Sequence, residues 1–216
     1  TVVVSDLAGT ITVTNATCNG TSTGSINVVG TGGTGSYTYS ITGGAYQVSG
    51  LFSGLAAGSY SINVNDGNCV KNYPAVVVGQ PTALTISSIT PTNPTCNGGT
   101  NGQIVIVASG GTVSYQYSIN GGGTYQLSNT FGSLPAGSYS VVVKDANGCE
   151  TAPSPVTLTD PALPSITAGS NSPVCINGIL NLTATAGFSS YSWTGPNSFS
   201  SSSQNPTINP VTAPAS

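Results

Sequence analysis

Five cysteines, Cys18, Cys69, Cys96, Cys149 and Cys175, are the most reactive side chains in this 216-residue sequence. A cysteine can bond a second cysteine, hold a metal as thiolate, or act as a nucleophile. The other residue types narrow that choice. There is no His, so no imidazole can activate a thiolate and a Ser-His-Asp triad is out of reach. No CxxC spacing occurs, and two thiolates do not make a zinc site. The carboxylates Asp6, Asp66, Asp145, Glu150 and Asp160 are scattered, mostly at turns, rather than paired as glycosidic acid–base work requires. No catalytic residue and no cofactor is expected. Disulfide formation remains, with buried free thiols as the alternative.

Asp66 and Asp145 each precede a cysteine in a Gly/Asn-rich stretch. A tight turn is the plain reading. Calcium is the sharper one, but calcium takes six or more oxygens and each stretch supplies one carboxylate. The tyrosine pairs Tyr37/Tyr39 and Tyr115/Tyr117 could stack on sugar rings or pack a core. Core packing is favoured because each pair shares a face with Ile41 or Ile119. A Lys–Asn cross-link would need equivalent lysines, and Lys71 and Lys144 are not equivalent. Three N-glycosylation sequons begin at Asn15, Asn19 and Asn181; in so Asn/Ser/Thr-rich a chain, chance matches are expected.

The elements that position the cysteines repeat. "TCNGTSTGSINV" at 17–28 returns as "TCNGGTNGQIVI" at 95–106, and "SYTYSI" at 36–41 as "SYQYSI" at 114–119. "AGSYS" at 57–61 returns at 136–140, so two tandem modules of about 80 residues are expected. The boundaries read as 9–82 and 83–162. Residues 1–8, with "VVVSD", resemble the closing strand of a preceding module. Residues 163–216 open an incomplete third unit that contains Cys175 and Trp193, the latter expected in that unit's core.

Charged residues are 3% of the chain, and Gly, Ser, Thr and Asn carry its polarity. Short alternating runs of Val, Ile, Thr and Tyr are strand composition. In the first module strands are expected at 10–14, 25–29, 36–42, weakly 46–52, 59–65 and 75–79. The fold class that follows is all-β: tandem immunoglobulin-like β-sandwiches of six to seven strands, arranged end to end. Proline in the links near 81 and 161 should make them stiff.

By module, Cys18 pairs with Cys69 and Cys96 with Cys149, and Cys175 would find its partner beyond the chain end. A six-strand count puts four strands between Cys18 and Cys69, hence both at one end of the sandwich. A seven-strand count puts five between them, hence opposite ends. The disulfide reading favours six.

The pattern "TCNG…GG…YxYSI…GLxAGSYSVxVxDxNGC…VxLxxP" resembles the SprB-type repeat of gliding adhesins and related giant surface proteins of Bacteroidota. "YSWTGPNSF" resembles the immunoglobulin-like or PKD-like units found beside such repeats. The resemblance implies a cell-surface or secreted adhesin exported by the type IX system, in some members carried along the surface during gliding.

With two basic residues, nucleic-acid binding and a polybasic membrane contact are excluded, and no apolar run is long enough to span a bilayer. An oxidising, extracellular or outer-surface location is expected. The leading functional reading is a stalk segment of a repetitive adhesin, partnered by neighbouring modules of the same protein. The alternatives are a fibre subunit polymerised by exchange of the strand at 2–4, and a polysaccharide-binding module.

Overall fold

The computed structural model describes residues 6–211, and among them there is no helix. The chain divides into two units, Thr1–Pro161 and Ala162–Ser216. The first unit holds both complete repeats, each a sandwich of two three-stranded antiparallel sheets.

In repeat 1 the strands are β1 (Ala8–Thr14), β2 (Gly24–Thr31), β3 (Thr38–Ile41), β4 (Leu51–Leu55), β5 (Gly58–Asn65) and β6 (Val70–Val78). One sheet has the order β1-β2-β4 and the other β3-β5-β6. Repeat 2 copies this with β7 (Thr85–Thr92), β8 (Gly102–Ser109), β9 (Gln116–Ser118), β10 (Thr130–Leu134), β11 (Gly137–Lys144) and β12 (Ser154–Leu158). Its sheets are β7-β8-β10 and β9-β11-β12.

Period-two alternation decides which side chains face inward. Along β2, Ile26 and Val28 are buried while Asn27 and Val29 are exposed. Ile62 and Val64 of β5 close on them from the facing sheet, with Tyr39, Phe52 and Val78 completing the core. In repeat 2 the corresponding cluster is Ile104, Ile106, Tyr117, Val141, Val143 and Leu158. Tyr37 and Tyr115 pack against these clusters, so the tyrosine pairs are core residues.

The strand at 46–52 divides in two. Gln47 makes a reciprocal pair of backbone hydrogen bonds with Tyr39, each 2.8 Å, at the edge of the second sheet. The chain then crosses to the first sheet, where Val28 N–H donates to the Gly50 carbonyl at 2.9 Å and β4 begins. This extra pass changes the parity. Five passes separate Cys18 from Cys69, and the two lie at opposite ends of the sandwich. At one end, Asn19 Nδ2 donates to the Pro81 carbonyl at 3.0 Å. At the other, the Asp66 carboxylate beside Cys69 accepts from Thr34 N–H at 3.1 Å. Repeat 2 has the same pass, Gln126 against Tyr117.

Leu7, placed by the sequence with a preceding module, is buried in the core of repeat 1, and Ala8 pairs with Thr31 in β1. The strand expected at 2–4 lies outside the described residues.

The second unit contains β13 (Ala168–Ser170), β14 (Leu180–Ala184), β15 (Trp193–Thr194), β16 (Ser200–Ser201) and β17 (Thr207–Ile208). Its sheet order is β13-β14-β17, with β15-β16 a separate hairpin. Trp193, expected in a core, is half-buried on that hairpin and donates Nε1–H to the Ser203 carbonyl at 2.9 Å.

Candidate functional site

Two turn types hold the cysteines. The opening cysteine of a repeat lies in the loop before its second strand. The Cys18 carbonyl accepts from Thr21 N–H at 3.3 Å and from its hydroxyl at 2.9 Å, and the Cys96 carbonyl accepts from Gly99 N–H at 2.9 Å. Each opening loop also holds the chain that leaves its own repeat. Asn19 Nδ2 reaches the Pro81 carbonyl and Gly20 N–H the Gln80 side chain; Asn97 Nδ2 reaches the Pro161 carbonyl and Gly98 N–H the Asp160 carboxylate.

The closing cysteine sits on a turn built by a buried aspartate. Asp66 Oδ1 accepts from Asn68 N–H at 3.0 Å and Cys69 N–H at 2.7 Å. Its Oδ2 accepts from Thr34 N–H at 3.1 Å. Asp145 does the same with Asn147 N–H, Cys149 N–H and Thr112 N–H, at 2.9, 2.9 and 2.8 Å. Hydrogen bonds from the Cys69 and Asn68 N–H groups hold the Asp66 carboxyl below the usual range. The two aspartates named as calcium candidates therefore have both oxygens turned to backbone donors, and tie the closing turn to the loop after the second strand. Among the described residues no three metal-ligating side chains of the Asp, Glu, Cys and His kind converge.

These turns meet at the junction of the repeats. Cys18 is bonded to Cys149, with Cα atoms 5.7 Å apart and a sequence separation of 131. Cys69, Cys96 and Cys175 carry free, exposed thiols. This corrects the within-repeat pairing, Cys18 with Cys69 and Cys96 with Cys149. The reason is the extra pass at Gln47, which sends the two cysteines of one repeat to opposite ends and brings the opening end of repeat 1 against the closing end of repeat 2.

Three contacts hold the junction around this bond. Asn147 Nδ2 donates across it to the Thr17 carbonyl at 3.0 Å. Gly111 N–H donates to the Thr82 carbonyl of the link at 2.9 Å. Gly110 lies so close to the Ala83 carbonyl that a Cβ there would collide with it, and its φ of 77° is one that glycine accepts most readily.

Repeat 2 has one feature that repeat 1 lacks. Lys144 Nζ lies 2.8 Å from the Glu150 carboxylate and 4.0 Å from the Tyr125 ring centroid. Among the described residues no well-formed hydrogen bond reaches the buried Tyr125 hydroxyl, yet burial first and the nearby Glu150 carboxylate second push its pKa up to about 12. The repeat 1 counterparts, Asn65, Val70 and Tyr46, cannot build this cluster. In the second unit Phe188, Tyr191 and Trp193 line a recess of ≈ 220 Å³. That is below the roughly 300 Å³ at which small-molecule pockets begin.

Small antiparallel sandwiches repeated along one chain and joined by a disulfide define an extracellular tandem-repeat β protein. The model of the SprB repeat family matches residues 10–46 and 88–124, the opening half of each sandwich. The match does not extend to 162–216. No curated protein sequence matches the chain. Among solved structures it is similar to the extracellular domains 3–5 of Drosophila OTK, with 14% identity, a TM-score of 0.32, and coverage of 67% of this chain and 57% of that one. It is also similar to domains 4–9 of the surface layer protein SbsC, with 12% identity, a TM-score of 0.30, and coverage of 93% and 43%. The chain thus spans less than two thirds of either structure.

Proposed function

We propose that this chain is a stalk segment of a cell-surface adhesin, built to carry other parts outward and to bear tension. The observation that carries this reading is the Cys18–Cys149 bond, which joins one repeat to the next rather than closing a loop within one. A staple of that kind limits how far the chain extends when its ends are pulled. Low charge and a surface rich in Gly, Ser and Thr suit a solvated spacer.

Single-molecule stretching from the two termini tests the reading. Held by its disulfide, the chain keeps the residues between Cys18 and Cys149 out of the tensioned path. At about 3.5 Å per residue, reduction should add roughly 450 Å of contour length. Equal contour lengths before and after reduction would refute the load-bearing role. Specific binding of the whole chain to immobilised surface polysaccharide would refute a pure spacer.

A further inference from the structure

Cys69 and Cys96 are each equivalent to a cysteine that is bonded at the internal junction. Cys69 occupies the closing position of repeat 1, as Cys149 does in repeat 2. Cys96 occupies the opening position of repeat 2, as Cys18 does in repeat 1. Both thiols are exposed, at the two outer ends of the pair of repeats.

We propose that Cys69 and Cys96 are open halves of the same inter-repeat staple. Cys69 takes the opening cysteine of a repeat preceding this pair in the same chain, and Cys96 takes the closing cysteine of a repeat following it. The rule is that the opening cysteine of one repeat bonds the closing cysteine of the next. It extends the stalk reading above, although its test reads bond positions rather than load.

The internal junction supplies the comparison, because the closing half of the groups around its bond recurs at the Cys69 end and the opening half at the Cys96 end. Asp66 holds Cys69 N–H at 2.7 Å as Asp145 holds Cys149 N–H at 2.9 Å. Asn68 stands where Asn147 stands, and Thr95 where Thr17 stands, so each outer end carries one half of the Asn-to-carbonyl contact that crosses the internal junction. The opening loop at Cys96 grips the departing chain at Pro161 as the loop at Cys18 grips it at Pro81, both at 3.0 Å. The incoming chain passes over Gly32–Gly33 at Asp6, whose carboxylate accepts Gly33 N–H at 3.0 Å. It passes over Gly110–Gly111 at Thr82 and Ala83, where a main-chain oxygen, the Thr82 carbonyl, accepts Gly111 N–H at 2.9 Å. The Cys69 end therefore has the entry, the closing turn and the thiol in place, and the Cys96 end has the exit, the opening loop and the thiol. Within one sandwich, Cys69 and Cys96 cannot satisfy their own repeat's other cysteine, because the fold sets the two at opposite ends.

Bond formation needs an oxidant, and glutathione disulfide is sufficient. The two protein thiols lose their protons to two glutathione molecules, the glutathione S–S bond breaks, and one protein S–S bond forms.

The test extends the full chain by one repeat. A second copy of residues 82–161 is inserted between Pro161 and Ala162, marked by the exposed substitutions Thr100→Ser and Ala152→Ser so that its peptides are distinct. The protein is refolded in reduced and oxidised glutathione, alkylated, and mapped without reduction. The expected result is a bond from Cys96 to the closing cysteine of the inserted copy, retention of Cys18–Cys149, and alkylation of Cys69 and the inserted opening cysteine. In the unextended chain, Cys96 should be alkylated. A bond between the two cysteines of the inserted copy would overturn the proposal, as would an alkylated Cys96 in an extended chain that keeps Cys18–Cys149. A Cys69–Cys96 bond between separate copies of the unextended chain, without the new bond in the extended one, would overturn the in-chain form. A Cys149→Ser variant adds an independent reading: Cys18 should become alkylated, and rebonding to Cys69 would contradict the opposite-end geometry on which the proposal stands. The Cys96 connectivity can fail while the Cys18–Cys149 staple still bears load, so the two proposals are separable.

Discussion

Asp66 and Asp145 act through their carboxylates, on backbone N–H groups close in space. For Asp66 the consequence is a pH dependence. Its folded pKa lies below the ordinary one, so the carboxylate stabilises repeat 1 above the usual Asp range, and that contribution is lost as pH falls through the folded value. Acid titration of the denaturation midpoint should show this decline in the wild-type chain, and Asp66→Asn should lower the neutral-pH midpoint while flattening the acid limb. An unchanged acid limb would count against the Asp66 role. Tyr125 behaves oppositely. Its raised pKa, about 12, means that its neutral form contributes below the ordinary tyrosine range and that the contribution is lost as pH rises through about 12. Ultraviolet titration should find this phenol ionising late. Glu150→Gln should bring it earlier without restoring the ordinary value, because burial is the larger cause. The aspartates were visible in sequence as turn residues. Their attachment to Thr34 and Thr112 was not, since that contact joins loops from two different sheets.

At the scale of elements, the chain's alternating runs announced most strands to within a few residues. β2 and β5 were readable because each buries one face and alternates strictly. β6 was read too short, since Pro74 interrupts the pattern. The structure passes Pro74 through a register shift, Tyr60 facing Val76 and then Ile62 facing Tyr73, so no ladder N–H is missed. The costliest misreading was the pass at Gln47. It makes only a bridge with Tyr39, and "GGAYQVSG" has no alternation long enough to signal a strand. One missed pass reversed the end of the sandwich assigned to Cys69, and with it the disulfide pairing. Gly50 marks the crossing, because a Cβ there would run into the Val28 carbonyl. Gly50→Ala should therefore destabilise repeat 1 by about 1–3 kcal/mol, the usual range for forced overpacking. Urea denaturation would measure it, and a change near zero would mean that the crossing is looser than described.

For the whole molecule, repetition was legible and connectivity was not. Equivalent cysteines in successive repeats suggest a bond within each repeat, because sequence spacing says nothing about which end of a sandwich a cysteine occupies. Once the ends are known, a bond between repeats follows, and the loop it closes is much longer. In the chain-entropy picture a closure of this length restrains the unfolded chain by about 5 kcal/mol, against roughly 4 for a single-repeat loop. Both repeats should share the effect, so reduction should lower their denaturation midpoints together. A fall in one repeat alone would be inconsistent with a shared staple. The most direct measurement is non-reducing peptide mapping of the alkylated native chain. The account predicts one bond, Cys18–Cys149, with alkylated Cys69, Cys96 and Cys175; bonds Cys18–Cys69 and Cys96–Cys149 would contradict it.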